Sequence, residues 1–223
     1  MQAIPQQRLR IALQKSGKLS NGSLDLLQQS GLLARNQEQS LWIESTDYAA
    51  DFMFVRDDDI PALLSQGICD LGVIGRNLLT EYRLNNPRCE EQLECILPLG
   101  FAKCRLSIAA PKGSRFKSLS DLRSTTIATS YPKTLKAFLK EQGIQARVMT
   151  LQGSVELAPK IGIADVICDL VSTGKTLAEN GLVEILTLAE SEALLVGNPK
   201  SSSNRYEMIK PFISRIKKVV KAA

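Results

Sequence analysis

The chain has 223 residues, 44% of them apolar and 23% charged, which suits a globular protein able to bury one large core or two small ones. The net charge is +5, but the Lys and Arg residues are scattered among few aromatics, which points away from nucleic acid and toward small polyanionic substrates. There is no histidine, so Ser-His-Asp and Cys-His catalysis are excluded and any general base must be a carboxylate, Lys, Tyr or water.

Met1-Gln2-Ala3-Ile4-Pro5 has no basic segment leading into an apolar one, so it does not read as a secretory leader. No apolar run is long enough to span a membrane, and the expected compartment is the cytoplasm. Residues 9–13 predict a buried first strand. Gln14-Lys15-Ser16-Gly17-Lys18 follows it, and Ser20 is the expected cap of a helix carrying Leu24, Leu26 and Leu27 and stopping at Gly31. This basic strand-to-helix loop is either an ordinary turn with solvated lysines or an anion site. Residues 41–43 and 52–55 read as two more strands. Arg56-Asp57-Asp58-Asp59 then opens a helix through Ile60, Leu63 and Leu64, closed by Gly67. The aspartates suit the helix dipole. Arg56 opposes it and needs an anionic partner, either one of those aspartates or a substrate phosphate.

Gly67-Ile68-Cys69-Asp70 and Gly162-Ile163-Ala164-Asp165 share one pattern: glycine, isoleucine, a small residue and aspartate, each leading into an apolar strand. The match is either coincidence or the mark of two similar α/β lobes. Lobes of that kind, facing each other, would present strand ends and helix N-termini to a cleft, as open α/β sheets do. Residues 93–99 and 105–110 read as strands, with the chain crossing between lobes over residues 100–104. A turn at Pro111-Lys112-Gly113-Ser114 precedes a strand at 126–129 and a helix opened by Pro132 and stopped at Gly143. Residues 146–151 read as a strand, Gly153-Ser154-Val155-Glu156 starts a helix, and residues 183–188 and 193–196 are strands flanking the return crossing. After a polar loop from Ser201 to Asn204, Ile209, Phe212, Ile213, Ile216, Val219 and Val220 form one helical stripe, opposite Arg215, Lys217, Lys218 and Lys221. The expected lobes are residues 1–99 with 190–223, and residues 100–189. Five cysteines (Cys69, Cys89, Cys95, Cys104, Cys168) with no Cys-x-x-Cys argue against zinc and for reduced thiols packed as small apolar groups.

The stretch from Asp165 to Leu177 carries the most chemistry. An apolar strand broken by Asp169 gives way to Ser172-Thr173-Gly174-Lys175-Thr176 and then to a helix stopped at Asn180-Gly181. A small polar loop between strand and helix N-terminus is suited to a phosphate. Gly174-Lys175-Thr176 is not a triphosphate loop, because the glycine required five positions before the Gly-Lys pair is Asp169. A carboxylate there suits sugar hydroxyls, or a cation shared with phosphates.

Glu156-Leu157-Ala158-Pro159, Gly162-Ile163-Ala164-Asp165, the run from Asp169 to Leu177, and Asn180-Gly181-Leu182 resemble, in that order, the signature of the ATP phosphoribosyltransferases, which open histidine biosynthesis. Residues 13–18 and 55–61 extend the resemblance over nearly the whole chain. It implies two α/β lobes with a cleft between them, similar to the type II periplasmic-binding-protein fold. It implies an enzyme that joins adenine N1 of ATP to the anomeric carbon of phosphoribosyl pyrophosphate and releases pyrophosphate. It further implies that Ser172, Thr173, Gly174, Lys175 and Thr176 hold the 5-phosphate, that Asp169 takes the ribose hydroxyls and that Glu156 lies near ribose or metal. Lys15, Gly17, Lys18, Asp70 and Arg105 would contact ATP, with Lys18 and Arg56 as catalytic cations. Mg2+ is implied through the substrate phosphates. Lys18 stands where the family usually has Arg, keeping the charge but not the bidentate fork. Ser40 stands where many members have another Arg, and no catalytic role is carried onto it.

The resemblance is to the family's short form. It implies a homodimer and a regulatory subunit resembling histidyl-tRNA synthetase within a larger hetero-oligomer. The alternative reading is a two-lobed small-anion binding protein without catalysis.

Overall fold

The computed structural model describes residues 8–34, 40–87, 93–199 and 205–222. Met1 to Pro5, Cys89 and the loop from Ser201 to Asn204, read above from sequence, lie outside these. The chain divides into two compact units, Met1–Ala102 with Glu192–Ala223, and Lys103–Ser191.

In the first unit β1 (Leu9–Gln14) pairs in parallel with β3 (Ala50–Val55) and β4 (Leu71–Gly75). The sheet is completed by β2 (Trp42–Glu44) on β3, and by β11 (Ala193–Gly197) between β4 and β5 (Glu94–Pro98), giving the order β2-β3-β1-β4-β11-β5. Its middle strands are covered on both sides, which is why they read as mainly apolar runs, interrupted in β1 by Arg10 and in β3 by Asp51. Alternate side chains of β1 divide between two cores. Leu9, Ile11 and Leu13 meet Leu26 and Leu27 of α1 (Lys18–Gln29) and Phe212 and Ile216 of α6 (Tyr206–Ala222). Ala12 faces the other way, toward Ile60 and Leu64 of α2 (Ile60–Ser65) and Leu79 of α3 (Arg76–Asn85). Gly72 lets α2 settle against β4, since a Cβ there would meet Ile60 at 2.8 Å.

Two local expectations change. The cap of α1 is Gly17, not Ser20, which is buried within the helix. The chain turns out of β1 at Gly17 with φ 92 and ψ −173, a conformation open essentially to glycine alone, so the helix starts earlier. The Asp57–Asp59 run forms a single 3-10 turn ahead of α2 rather than the first turn of one longer helix.

The second unit has the strand order β10-β6-β9-β7-β8, built from β6 (Cys104–Pro111), β7 (Thr126–Thr129), β8 (Arg147–Thr150), β9 (Val166–Val171) and β10 (Leu182–Ser191). Strands β8, β7 and β9 are parallel, β6 is antiparallel to β9, and β10 is antiparallel to β6. Leu135 and Leu139 of α4 (Pro132–Glu141) close one face over Leu106, Ile127 and Val166. The other face packs Ala109, Ala128 and Ile167 against Val155, Ala158 and Leu177 of α5 (Lys175–Glu179). The helix expected from Gly153 is only a 3-10 turn, Val155–Leu157. Pro159, two residues on, has no N–H to carry the hydrogen-bond ladder onward, although Ala158 itself keeps helical φ and ψ.

The Gly-Ile-x-Asp pattern is a structural repeat. Gly67 and Gly162 both take left-handed φ, 70 and 75. The Asp70 carboxylate accepts from Arg10 N–H at 2.9 Å, while Asp70 N–H donates to the Arg10 carbonyl at 2.8 Å. Asp165 does the same with Thr126, at 2.7 and 2.9 Å. In each unit the aspartate clips the amino end of one strand to its parallel neighbour. Burial pushes the Cys69 thiol up to about 11, so it stays protonated and packs as an apolar group.

Candidate functional site

Because β8, β7 and β9 are parallel, their carboxyl ends share one edge of the second sheet, and the loops leaving them bring distant residues together. Ser130 and Tyr131 follow β7. Gly153 and Ser154 lead from β8 to Glu156. Ser172, Thr173 and Gly174 lead from β9 to α5. Asp169 lies within β9, opposite Ser107 of β6. Burial raises its carboxyl above the usual range and Glu156 raises it further, against the opposing pull of its hydrogen bond from Leu170 N–H at 2.8 Å. Asp169 and Glu156 are thus electrostatic neighbours. Ser154 holds φ 49, a left-handed conformation that disfavours non-glycine residues, at the turn that delivers Glu156.

The phosphate-loop candidates are accessible. Ser172, Thr173, Lys175 and Thr176 are exposed, and Gly174 caps α5 with φ 79. Lys175 N–H donates to Thr173 Oγ1 at 3.4 Å. The Lys175 ammonium stands 3.8 Å from Glu179 in an exposed pair, an arrangement that binds it only weakly.

In the first unit the parallel strands β3, β1 and β4 likewise share one carboxyl edge. Lys15 N–H donates to the carbonyl of Val55 at 2.9 Å, so the loop holding Lys15, Gly17 and Lys18 leaves the sheet beside Arg56. Arg56 is 69% exposed, and its nearest acidic partner, Asp58, is 3.9 Å away. A cavity of about 460 Å³ opens beside this loop, with Lys15, Ser16, Gly17 and Asn21 as polar lining and Leu24 and Phe54 as apolar lining. Sequence reasoning did not single out Ser16 and Asn21, which line this cavity.

Two of the expected ATP contacts are engaged with other groups of the chain. Asp70 lies at the amino end of β4, opposite the Lys15 edge and roughly 17 Å away along a five-residue strand. Its carboxylate is buried and accepts from Arg205 at 2.9 Å as well as from Arg10 N–H. Arg105 belongs to the second unit. It opens β6 opposite Val171, and Glu184 engages it in a bidentate pair at 2.6 and 2.5 Å.

Among the described residues no group of three or more Cys, Asp or Glu is placed to hold a metal ion, and no helix is long and apolar enough to cross a membrane.

The family model for ATP phosphoribosyltransferase (HisG) matches residues 56–218. Similar curated proteins include the ATP phosphoribosyltransferase of Stenotrophomonas maltophilia, 45% identical over 88% of this chain and 66% of that protein. Another, from Bacteroides fragilis, is 41% identical over 93% of this chain and 71% of its own length. The chain thus spans about two thirds of the length of these relatives. Among solved structures it resembles the ATP phosphoribosyl transferase (HisG:HisZ) complex from Thermotoga maritima, with a TM-score of 0.79, 28% identity, and coverage of 96% of this chain and all of that one. The periplasmic aliphatic sulphonate binding protein SsuA of Escherichia coli shares the fold alone, at 15% identity and a TM-score of 0.62 over 96% of this chain and 73% of that one. Two α/β units of the periplasmic-binding-protein type, carrying the signature from Glu156 to Leu182, match that family over most of their length, and the chain belongs to the ATP phosphoribosyltransferase family.

Proposed function

We propose that this chain joins ATP to phosphoribosyl pyrophosphate, the first step of histidine biosynthesis. Adenine N1 attacks the anomeric carbon with its lone pair, the bond from that carbon to the pyrophosphate oxygen breaks, and pyrophosphate leaves with the bonding electrons. N1 carries no proton to remove, so the chain's lack of histidine is no obstacle. The barrier lies in positioning and in charge on the leaving group. The observation that carries this reading is Asp169, a half-buried carboxylate neighbouring Glu156, set just ahead of an exposed Ser-Thr-Gly loop that opens a helix. A bound triphosphate would be repelled by such a carboxylate; a ribose 5-phosphate uses both parts.

In this assignment Ser172, Thr173, Gly174, Lys175 and Thr176 take the 5-phosphate. Asp169 accepts from the ribose hydroxyls, and Glu156 supports it. Lys15, Gly17 and Lys18 take the nucleotide's phosphates, while Lys18 and Arg56 balance the charge that develops on pyrophosphate. The weakly paired, exposed guanidinium of Arg56 is available for that task. The oxygen donors Asp169 and Glu156 fit a hard cation, and Mg2+ brought in on the substrate phosphates would supply further charge neutralisation there. We place the chain in the cytoplasm, where both substrates are made. The Thermotoga structure is a HisG:HisZ complex, which supports assembly of this chain with a regulatory subunit, here read as one resembling histidyl-tRNA synthetase, alongside self-association as a homodimer.

The test is to mix the purified chain with ATP, phosphoribosyl pyrophosphate and Mg2+ and to follow pyrophosphate and the N1-phosphoribosyl product. Appearance of both supports the assignment. Binding of either substrate without turnover would favour a small-anion binding protein instead.

A further inference from the structure

We propose that the Arg105–Glu184 pair is a positioning device for the Ser172–Thr173 peptide, aiming the Thr173 N–H at the phosphoribosyl 5-phosphate. The inference rests on the functional reading above. Glu184 grips two nitrogens of Arg105, at 2.6 and 2.5 Å. Glu184 is itself held by the hydroxyl of Ser107 at 2.7 Å and that of Thr187 at 3.0 Å. Ser107 is fully buried, so the network is anchored in the sheet. With the guanidinium fixed, its remaining nitrogen donates to the Ser172 carbonyl at 3.4 Å.

That carbonyl belongs to the first peptide of the loop after β9. A trans peptide is planar, with its carbonyl and N–H on opposite sides. Turning the Ser172 carbonyl toward Arg105 therefore turns the Thr173 N–H away from Arg105. A loop that grips a phosphate by its N–H groups needs that peptide held before substrate arrives, because ordering it on binding costs affinity. Arg105 pushes the Glu184 carboxyl down to about 2, so Glu184 stays charged and the pair stays formed at neutral pH.

Glu184→Gln and Arg105→Lys test this, with Glu184→Asp as the charge-retaining control. Amide hydrogen exchange is read first on the full chain without substrate, followed by steady-state kinetics. Expected are faster exchange at residues 172–176 with protection kept in β6, β9 and β10, and a KM for phosphoribosyl pyrophosphate raised roughly tenfold, the loss of one charge-assisted hydrogen bond. The KM for ATP and kcat should stay within about twofold, and Glu184→Asp should recover part of the loss. Unchanged exchange at residues 172–176 in Glu184→Gln overturns the positioning alone. A global loss of protection, or equal rises in both KM values, overturns it in favour of a structural pair. An unaltered protein that releases no pyrophosphate overturns the functional reading, and the phosphate role with it.

Discussion

At the scale of single residues, two aspartates in the same kind of sequence have different fates. Asp169 belongs to an accessible edge, and Asp169→Asn should keep the fold while cutting kcat/KM for phosphoribosyl pyrophosphate. The loss of a charge-assisted acceptor is worth about 1.5–3 kcal/mol, or tenfold to a hundredfold. Its titration adds a signed test. Asp169 accepts from ribose hydroxyls as the carboxylate, which exists only above a folded pKa that burial and Glu156 lift over the ordinary 3.8. Substrate use should fall as pH drops through that raised value, and Glu156→Gln should move the acid limb to lower pH by removing one raising influence. Asp70 is buried under Arg205 and Arg10, so Asp70→Ala should lose about 2–4 kcal/mol of stability in a urea melt while activity per folded molecule holds. Arg56→Ala should do the reverse. Its exposed contact with Asp58 is worth less than about 1 kcal/mol, so melting should barely move while turnover drops. A large fall in melting temperature with normal turnover would make Arg56 structural.

At the scale of elements, β10 is the edge strand whose Glu184 ties it to β6. The Glu184 carboxyl ordinarily titrates at 4.5 and is lowered in the fold to about 2, chiefly by the hydrogen bond from Arg105. Its contribution to stability is therefore complete above about 4.5 and is lost as pH falls from there toward about 2. Urea midpoints measured across that interval should fall more steeply for the wild type than for Glu184→Gln; parallel curves would show that the pair adds nothing to the fold. The helices differ in how locally they are set. The apolar stripe of α6 buries Ile209, Phe212 and Ile216 as its period requires. The turn at Glu156 is cut short by Pro159, and α1 begins at Gly17 because of a backbone angle that no propensity scale ranks.

At the scale of the whole molecule, the prediction concerns regulation. Each unit has its own sheet and cores, and the residues assigned to substrates and catalysis lie in the strands of those two sheets or in the segments that follow them. If the chain is the catalytic subunit of a short-form enzyme, the purified chain alone should turn over both substrates and stay insensitive to histidine until a regulatory partner is added. Activity with and without histidine, together with mass in solution by light scattering, checks this. Strong inhibition of the chain alone would place an effector site within these 223 residues and refute the short-form assignment.

Local physics made much of this legible without coordinates. Mainly apolar runs marked β1, β4 and β9 as buried strands, glycines marked the stops of α1 and α4, and the small polar residues after β9 marked the loop that opens α5. These are properties of a few adjacent residues, so they survive without a partner strand. The strand order, the edge each loop occupies and the partner of each charge do not. Asp70 meets Arg205 across 135 positions and Arg105 meets Glu184 across 79, separations at which the chain carries no local record of contact. Only parallel pairing could put Asp70 at the amino edge of its sheet and Asp169 close to the carboxyl edge of its own. Register across the sheet, not residue type, decides whether an aspartate clips two strands together or stands near an accessible edge.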